Sequence, residues 1–223
     1  MPISEDSSII PRKITHSEDA GIIPANLPAG GGGSFAFRQS IFTDGVDDSC
    51  ATGTSSSVWN PFINTNDVSF SCWARSSGAH YNNFDSIYQV EDGTTFSTLN
   101  FGVHADGTAE LYGKTRNISF QTTFGISTAT QAAWTMYSIV ITQNRSNQVV
   151  KIYVNAVLEQ TFTIAAVTLS STSSKLSLSS GSQTLAGYLC EAVFSEYAFT
   201  DADVSALYNA GAGAKPTAVL TSV

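Results

Sequence analysis

The residues that could do chemistry in this chain are few, and the acidic ones come first. Cleaving a glycosidic bond takes two carboxylates facing one site, one acting as acid and the other as nucleophile or base. The best local pair is Glu191 and Glu196. Their spacing is odd, so on a regular strand they point to opposite faces, unless a bulge brings them together. Asp44, Asp47 and Asp48 cluster instead around Gly45. Hard oxygens in a short loop suit calcium, although three carboxylates supply only part of a shell of about six to eight oxygens. A structural calcium is therefore an expectation set against a plain solvated acidic turn, and no cofactor is required.

Other reactive groups lead nowhere catalytic. His16, His80 and His104 are scattered, with no Cys or Asp at ligand spacing. No Gly-x-Ser-x-Gly occurs, and the glycine run at 30–33 has no strand before it and no Lys-Ser after it. Cys50, Cys72 and Cys190 are odd in number and read as buried free thiols rather than a disulfide framework. Asn117 and Asn144 match the glycan-acceptor pattern, as chance allows in so Ser-rich a chain. No catalytic residue is assigned, and the chain is expected not to be an enzyme.

Sugar recognition asks for something different: a flat aromatic face for C–H stacking, with planar amides to pair hydroxyls. The stretch AHYNNFD offers that mix in Tyr81, Asn82, Asn83 and Phe84, with Trp59, Asn60 and Phe62 in a neighbouring loop. Tyr81 and Phe84 read equally well as loop packing.

These residues need elements to hold them. Only 13% of residues are charged, while aromatics reach 11%, and Ser and Thr carry most of the polarity; strands accept that mix better than helices do. The net charge of −8 repels phosphate backbones, which argues against nucleic acid as a partner. No apolar window of about 18 residues exists to span a membrane. The N-terminus lacks the apolar core of about 7–15 residues that marks a secretion signal.

Residues 1–34 hold four of the six prolines. Two similar settings, SSIIP and AGIIP, place Ile9, Ile10 and Pro11, then Ile22, Ile23 and Pro24, in an extended arm. Such anchors are expected to dock on something, a sister subunit in a homo-oligomer among the candidates. From residue 35 onward, strands recur about every 8–12 residues. Asp92-Gly93 and Asp106-Gly107 mark hairpins between alternating runs. WTMYSIVITQ and QVVKIYVN form the clearest pair, with Val150, Ile152 and Val154 on one face, Lys151 and Tyr153 on the other. One segment reads as helix: Thr200 as N-cap, Asp201 and Asp203 in the first turn, Val204, Leu207 and Tyr208 as the packing stripe, and Gly211 as the left-handed stop. Residues 213–223 are again irregular.

Four ordered landmarks resemble the laminin G-like branch of the concanavalin A-like lectin/glucanase superfamily. They are FTDGVDD at 42–48, VSFSCWA at 68–74, the strand from 134 to 141 followed by VKIYVN at 150–155, and GYLCEAVF with the AFTDADVSALYNAG segment ending at 211. The resemblance implies an all-β antiparallel sandwich, a concanavalin A-like jelly roll over 35–212, with one short C-terminal helix. It also implies a calcium near the first landmark, completed from near Glu191. Two departures matter. Ala156 replaces the family's usual Gly after Asn155, which predicts a different turn geometry, and the superfamily's glucanases carry a third acid that is missing between Glu191 and Glu196.

The function expected is that of a non-enzymatic virion surface protein, such as a phage capsid decoration or fibre-associated protein, assembled in the host cytoplasm. Its arm would meet capsid or other virion proteins, and its sandwich would be displayed. A carbohydrate-binding or adhesion module that meets surface glycans is the alternative; a glycoside hydrolase ranks behind it.

Overall fold

A computed structural model describes residues 22–23, 40–45, 50–51, 67–77, 84–91, 97–114, 119–144, 147–165, 175–178, 184–195 and 197–209. Its architecture is an antiparallel sandwich of two sheets.

The first sheet has seven strands. In order they are β1 (Ile22–Ile23), β2 (Ser40–Asp44), β13 (Ala186–Ser195), β4 (Val68–Ser76), β9 (Thr135–Asn144), β10 (Asn147–Val154) and β11 (Val157–Ala165). The second has six: β3 (Cys50–Ala51), β12 (Lys175–Leu178), β5 (Phe84–Glu91), β6 (Ser97–His104), β7 (Thr108–Lys114) and β8 (Ser119–Gly125).

Alternation along the strands builds the core. Val68, Phe70, Cys72 and Ala74 of β4 face inward with Tyr137, Ile139 and Ile141 of β9 and Val150, Ile152 and Val154 of β10. Ile87, Tyr88, Phe101, Val103 and Ala109 meet them from the second sheet. Phe70, Tyr88 and Phe101 stack in series, with ring centroids 5.5 and 5.4 Å apart.

The β6–β7 hairpin forms where Asp106-Gly107 predicts it. Gly107 takes φ 87°, a conformation costly for residues with a Cβ. Thr108 donates its N–H (2.9 Å) and hydroxyl (2.7 Å) to Asp106 Oδ1, and these bonds hold the Asp106 carboxyl below its ordinary pKa.

The outer face of the seven-stranded sheet carries a second core. Trp73, Met136, Val140, Tyr153 and Cys190 point outward and are buried beneath the C-terminal helix α2 (Asp201–Tyr208) with Phe199, Val204 and Leu207. Thr200 caps this helix, and Asp203 closes the capping box by accepting from the Thr200 N–H at 2.8 Å. Ser69 ties down the approach to the helix, donating to the Tyr197 carbonyl (2.9 Å) and accepting from the Phe199 N–H (2.8 Å). Tyr153 donates to Asp201 at 2.6 Å.

Two details differ from the sequence reading of this end of the chain. The left-handed stop is Asn209 (φ 47°, ψ 51°), two residues before Gly211; asparagine tolerates that conformation better than other L-residues with a Cβ. A further single turn of helix, α1 (Thr128–Ala132), precedes β9, its first N–H groups served by Ser127, whose hydroxyl accepts from Thr130 N at 3.0 Å. No helix among the described residues is long and apolar enough to cross a membrane.

Candidate functional site

The helix covers only part of the outer face. Cys190 pairs with Trp73 in the rung it shields, and Tyr208 of α2 stacks on Trp73 with centroids 5.6 Å apart and planes 14° apart. Two residues further along each strand, on the same face, Tyr188 pairs with Arg75 on one side and with Phe42 on the other. Ala74 pairs with Thr135, so Trp134 lies one step further, beside Arg75. One rung therefore carries Phe42, Tyr188, Arg75 and Trp134 across β2, β13, β4 and the start of β9.

These side chains touch one another. The Phe42 and Tyr188 rings lie 5.1 Å apart, tilted at 53°, and Trp134 and Tyr188 lie 6.2 Å apart at 56°. The Arg75 guanidinium carbon sits over the Tyr188 ring, 5.1 Å from its centroid, within cation–π range. All four residues are half-buried rather than sealed. A half-buried aromatic ring beside a planar cation can stack against the C–H face of a sugar while the guanidinium donates hydrogen bonds at its rim.

The rung is rigidly mounted. Gly187, next to Tyr188, brings β13 so close to β4 that an added Cβ would lie 2.1 Å from the Arg75 carbonyl oxygen. Thr43, next to Phe42, donates its hydroxyl to the Leu185 carbonyl. The β4 and β9 strands behind the rung are buried on both faces.

None of the four was chosen as a site residue from the sequence. Along β4, Arg75 shares the outward set with Ser69, Ser71 and Trp73. What could have flagged it is that an arginine and a tryptophan stand where serines would suffice on a merely solvated face.

The residues chosen from the sequence fall elsewhere. Tyr81, Asn82 and Asn83 lie outside the described residues. Phe84 opens β5 at 5% exposure, its ring edge-to-face with His104 at 5.0 Å, so its faces are taken up within the chain. Asp44 ends β2 opposite Ala186, while Asp47 and Asp48 lie outside the described residues. Glu191 stands five residues along β13 from that partner of Asp44, in the irregular stretch after Cys190. No group of three His, Cys, Asp or Glu residues placed to hold a metal occurs among the described residues.

Ile22–Ile23 forms β1, pairing with Ile41 and Ser40 of its own chain. Ile9, Ile10, Pro11 and Pro24 lie outside the described residues. Cys72 and Cys190 are free and buried; loss of hydration pushes the Cys72 thiol up to about 12 and raises Cys190 as well, so neither is a ready nucleophile.

Strict alternation along β13 breaks at Glu191. Register shifts between Cys190 and Val193, and Glu191 takes φ 47° in the resulting bulge. A bulge adds a residue and breaks strict alternation, so odd spacing does not assign the two glutamates to opposite faces. Glu196 lies outside the described residues.

A laminin G-type family model, described as the concanavalin A-like lectin/glucanases superfamily, matches residues 44–205. The chain belongs to this superfamily. No curated protein matches it in sequence. Solved structures share the fold of this superfamily member at low identity. The receptor binding domain of botulinum neurotoxin D is 12% identical with a TM-score of 0.59, covering 86% of this chain and 48% of that one. The binding domain of botulinum neurotoxin DC in complex with SialylT is 15% identical with a TM-score of 0.53, covering 78% and 40%. Domain 4 of AbnA, a GH43 extracellular arabinanase from Geobacillus stearothermophilus, solved with arabinotriose, is 16% identical with a TM-score of 0.56, covering 78% and 81%. The chain thus spans less than half of the neurotoxin domains and matches most of the arabinanase domain. At these identities the likeness establishes the fold and no more.

Proposed function

We propose that this superfamily member is a non-catalytic recognition module that holds a glycan against the rung of Phe42, Tyr188, Arg75 and Trp134. The observation that carries the reading is the rung itself: Tyr188 in contact with Phe42, Trp134 and the Arg75 guanidinium, all four residues half-buried. Two similar structures add support, one solved with arabinotriose and one with SialylT.

The test is a glycan array followed by titration calorimetry on the best ligand. Trp134→Ala and Tyr188→Ala should each weaken binding at least tenfold with the fold intact by circular dichroism. Undiminished affinity in both variants would move the site elsewhere. Turnover of a polysaccharide panel that disappears in Glu191→Gln would replace recognition with hydrolysis.

The finer reading places the module on a virion surface, with residues 1–34 meeting capsid proteins or sister subunits. Its support is the repeated Ile-Ile-Pro setting of the arm; the copy at Ile22–Ile23 pairs within its own chain, which leaves Ile9–Ile10 for the partner. Deleting residues 1–34 should abolish attachment to particles; full decoration by the truncated chain sinks the idea. Calcium at Asp44, Asp47 and Asp48 belongs to the same set of proposals, on the strength of three clustered carboxylates. Chelation should then lower Tm in the parent and leave Asp44→Ala unchanged.

A further inference from the structure

Resting on the glycan reading of the rung, we infer that the ligand it selects is an acidic sugar, one whose carboxylate pairs with Arg75. The chain carries a net charge of −8, so its general surface repels anions. A site that accepts one needs a cation of its own. On this outer face Lys151 approaches Asp201 at 3.9 Å, whereas Arg75 meets no carboxylate among the described residues and lies over the Tyr188 ring instead.

That placement suits a carboxylate. The guanidinium is planar, always charged, and carries its donors in the plane, in the fork that fits a carboxylate bidentately. A ring beneath it keeps it flat without using those donors. Tyr188 is taken up in holding the guanidinium, and Trp134, one step beyond Arg75 on the other side, supplies the apolar face for the sugar ring that bears the acid. A lysine would bring charge but no planar fork, and glutamine a fork without charge. Arg75 thus sets which sugar is taken, and the aromatics set that a sugar is taken at all.

The experiment compares trigalacturonate, its fully methyl-esterified form and sialyllactose by calorimetry in about 0.15 M salt, where long-range repulsion is screened. The ester keeps the ring and removes only the charge. Expected is at least tenfold tighter binding of trigalacturonate than of its ester, or the same preference for sialyllactose if the acid is sialic rather than uronic. Arg75→Gln should erase the preference by weakening only the acid, Arg75→Lys should retain part of it, and Trp134→Ala should weaken acid and ester together. Thermal melts of each variant separate lost recognition from lost fold.

Equal binding of acid and ester by the parent protein overturns the acidic-sugar inference and leaves the glycan reading standing. So does a preference for the acid that survives Arg75→Gln with Tm unchanged. A parent protein that binds no acidic or neutral glycan removes both.

Discussion

Asn155 is bonded twice to Met136: its backbone N–H donates to the Met136 carbonyl, and its side-chain Oδ1 accepts from the Met136 N–H, each at 2.9 Å. The pairing locks the β10–β11 turn onto β9. Asn155 (φ 51°) and Ala156 (φ 64°) both adopt the left-handed conformation, as a type I′ hairpin requires. The turn therefore keeps the geometry that glycine would favour, contrary to what Ala156 suggests in sequence. The two bonds to Met136, and the packing of Ala156 beside the outer core, hold alanine in a conformation it disfavours.

Replacing Ala156 by Gly should relieve that strain and raise stability by about 0.5–1 kcal/mol, net of glycine's greater unfolded-state entropy. Asn155→Ala should cost about 1–2 kcal/mol, since it strips a buried N–H of its partner. Urea denaturation of the two variants decides; an Ala156→Gly variant that is less stable means the packing contribution outweighs the strain.

Leu207→Ala, at a residue 3% exposed under α2, should cost about 2–4 kcal/mol, and Thr200→Ala about 1 kcal/mol through loss of the cap. Both should be visible in tryptophan fluorescence, because Trp73 reports on its stack with Tyr208.

Gly187→Ala is expected to cost as much as the loss of Leu207, by a different route. The new Cβ would meet backbone, the Arg75 carbonyl, which has no rotamer by which to escape. Separating β13 from β4 should cost about 3 kcal/mol and loosen Tyr188 from Arg75, so any variant that folds should also lose ligand affinity.

Stability should fall in alkali and stay level near neutrality. Burial raises the pKa of Cys72, Cys190, Tyr88, Tyr137 and Tyr153, with Asp201 adding to the shift at Tyr153. In each case the folded state holds its proton more tightly than the unfolded chain does. The stabilisation is complete below the ordinary thiol and phenol values of 9.0 and 10.0 and is lost above them. Each group then removes about 1.4 kcal/mol per pH unit. Melting curves from pH 7 to 11 should show the fall beginning near the thiol value, and Cys72→Val should flatten it.

What could be read in the sequence was whatever depends on near neighbours. Alternation at Val68, Phe70, Cys72 and Ala74, the Asp106-Gly107 turn and the Thr200–Asp203 capping pair are all local, and each appears in the structure. The rung was not legible because its members are spread from 42 to 188 and meet only through the register of four strands. Register depends on long-range pairing and on bulges such as the one at Glu191, which a periodic pattern does not reveal. The position of the helix stop failed on a smaller scale, since Asn209 and Gly211 are both competent to end a helix.

Burial of β4 and β9 on both faces has a consequence for how occupancy would be felt. Strands enclosed by two cores have no cheap local opening, so they exchange and part only when the whole domain unfolds. A ligand fixed to Arg75 and Trp134 would be coupled to that global event, its binding energy spread over the entire cooperative unit. Occupied and empty modules would then differ less in shape than in lifetime.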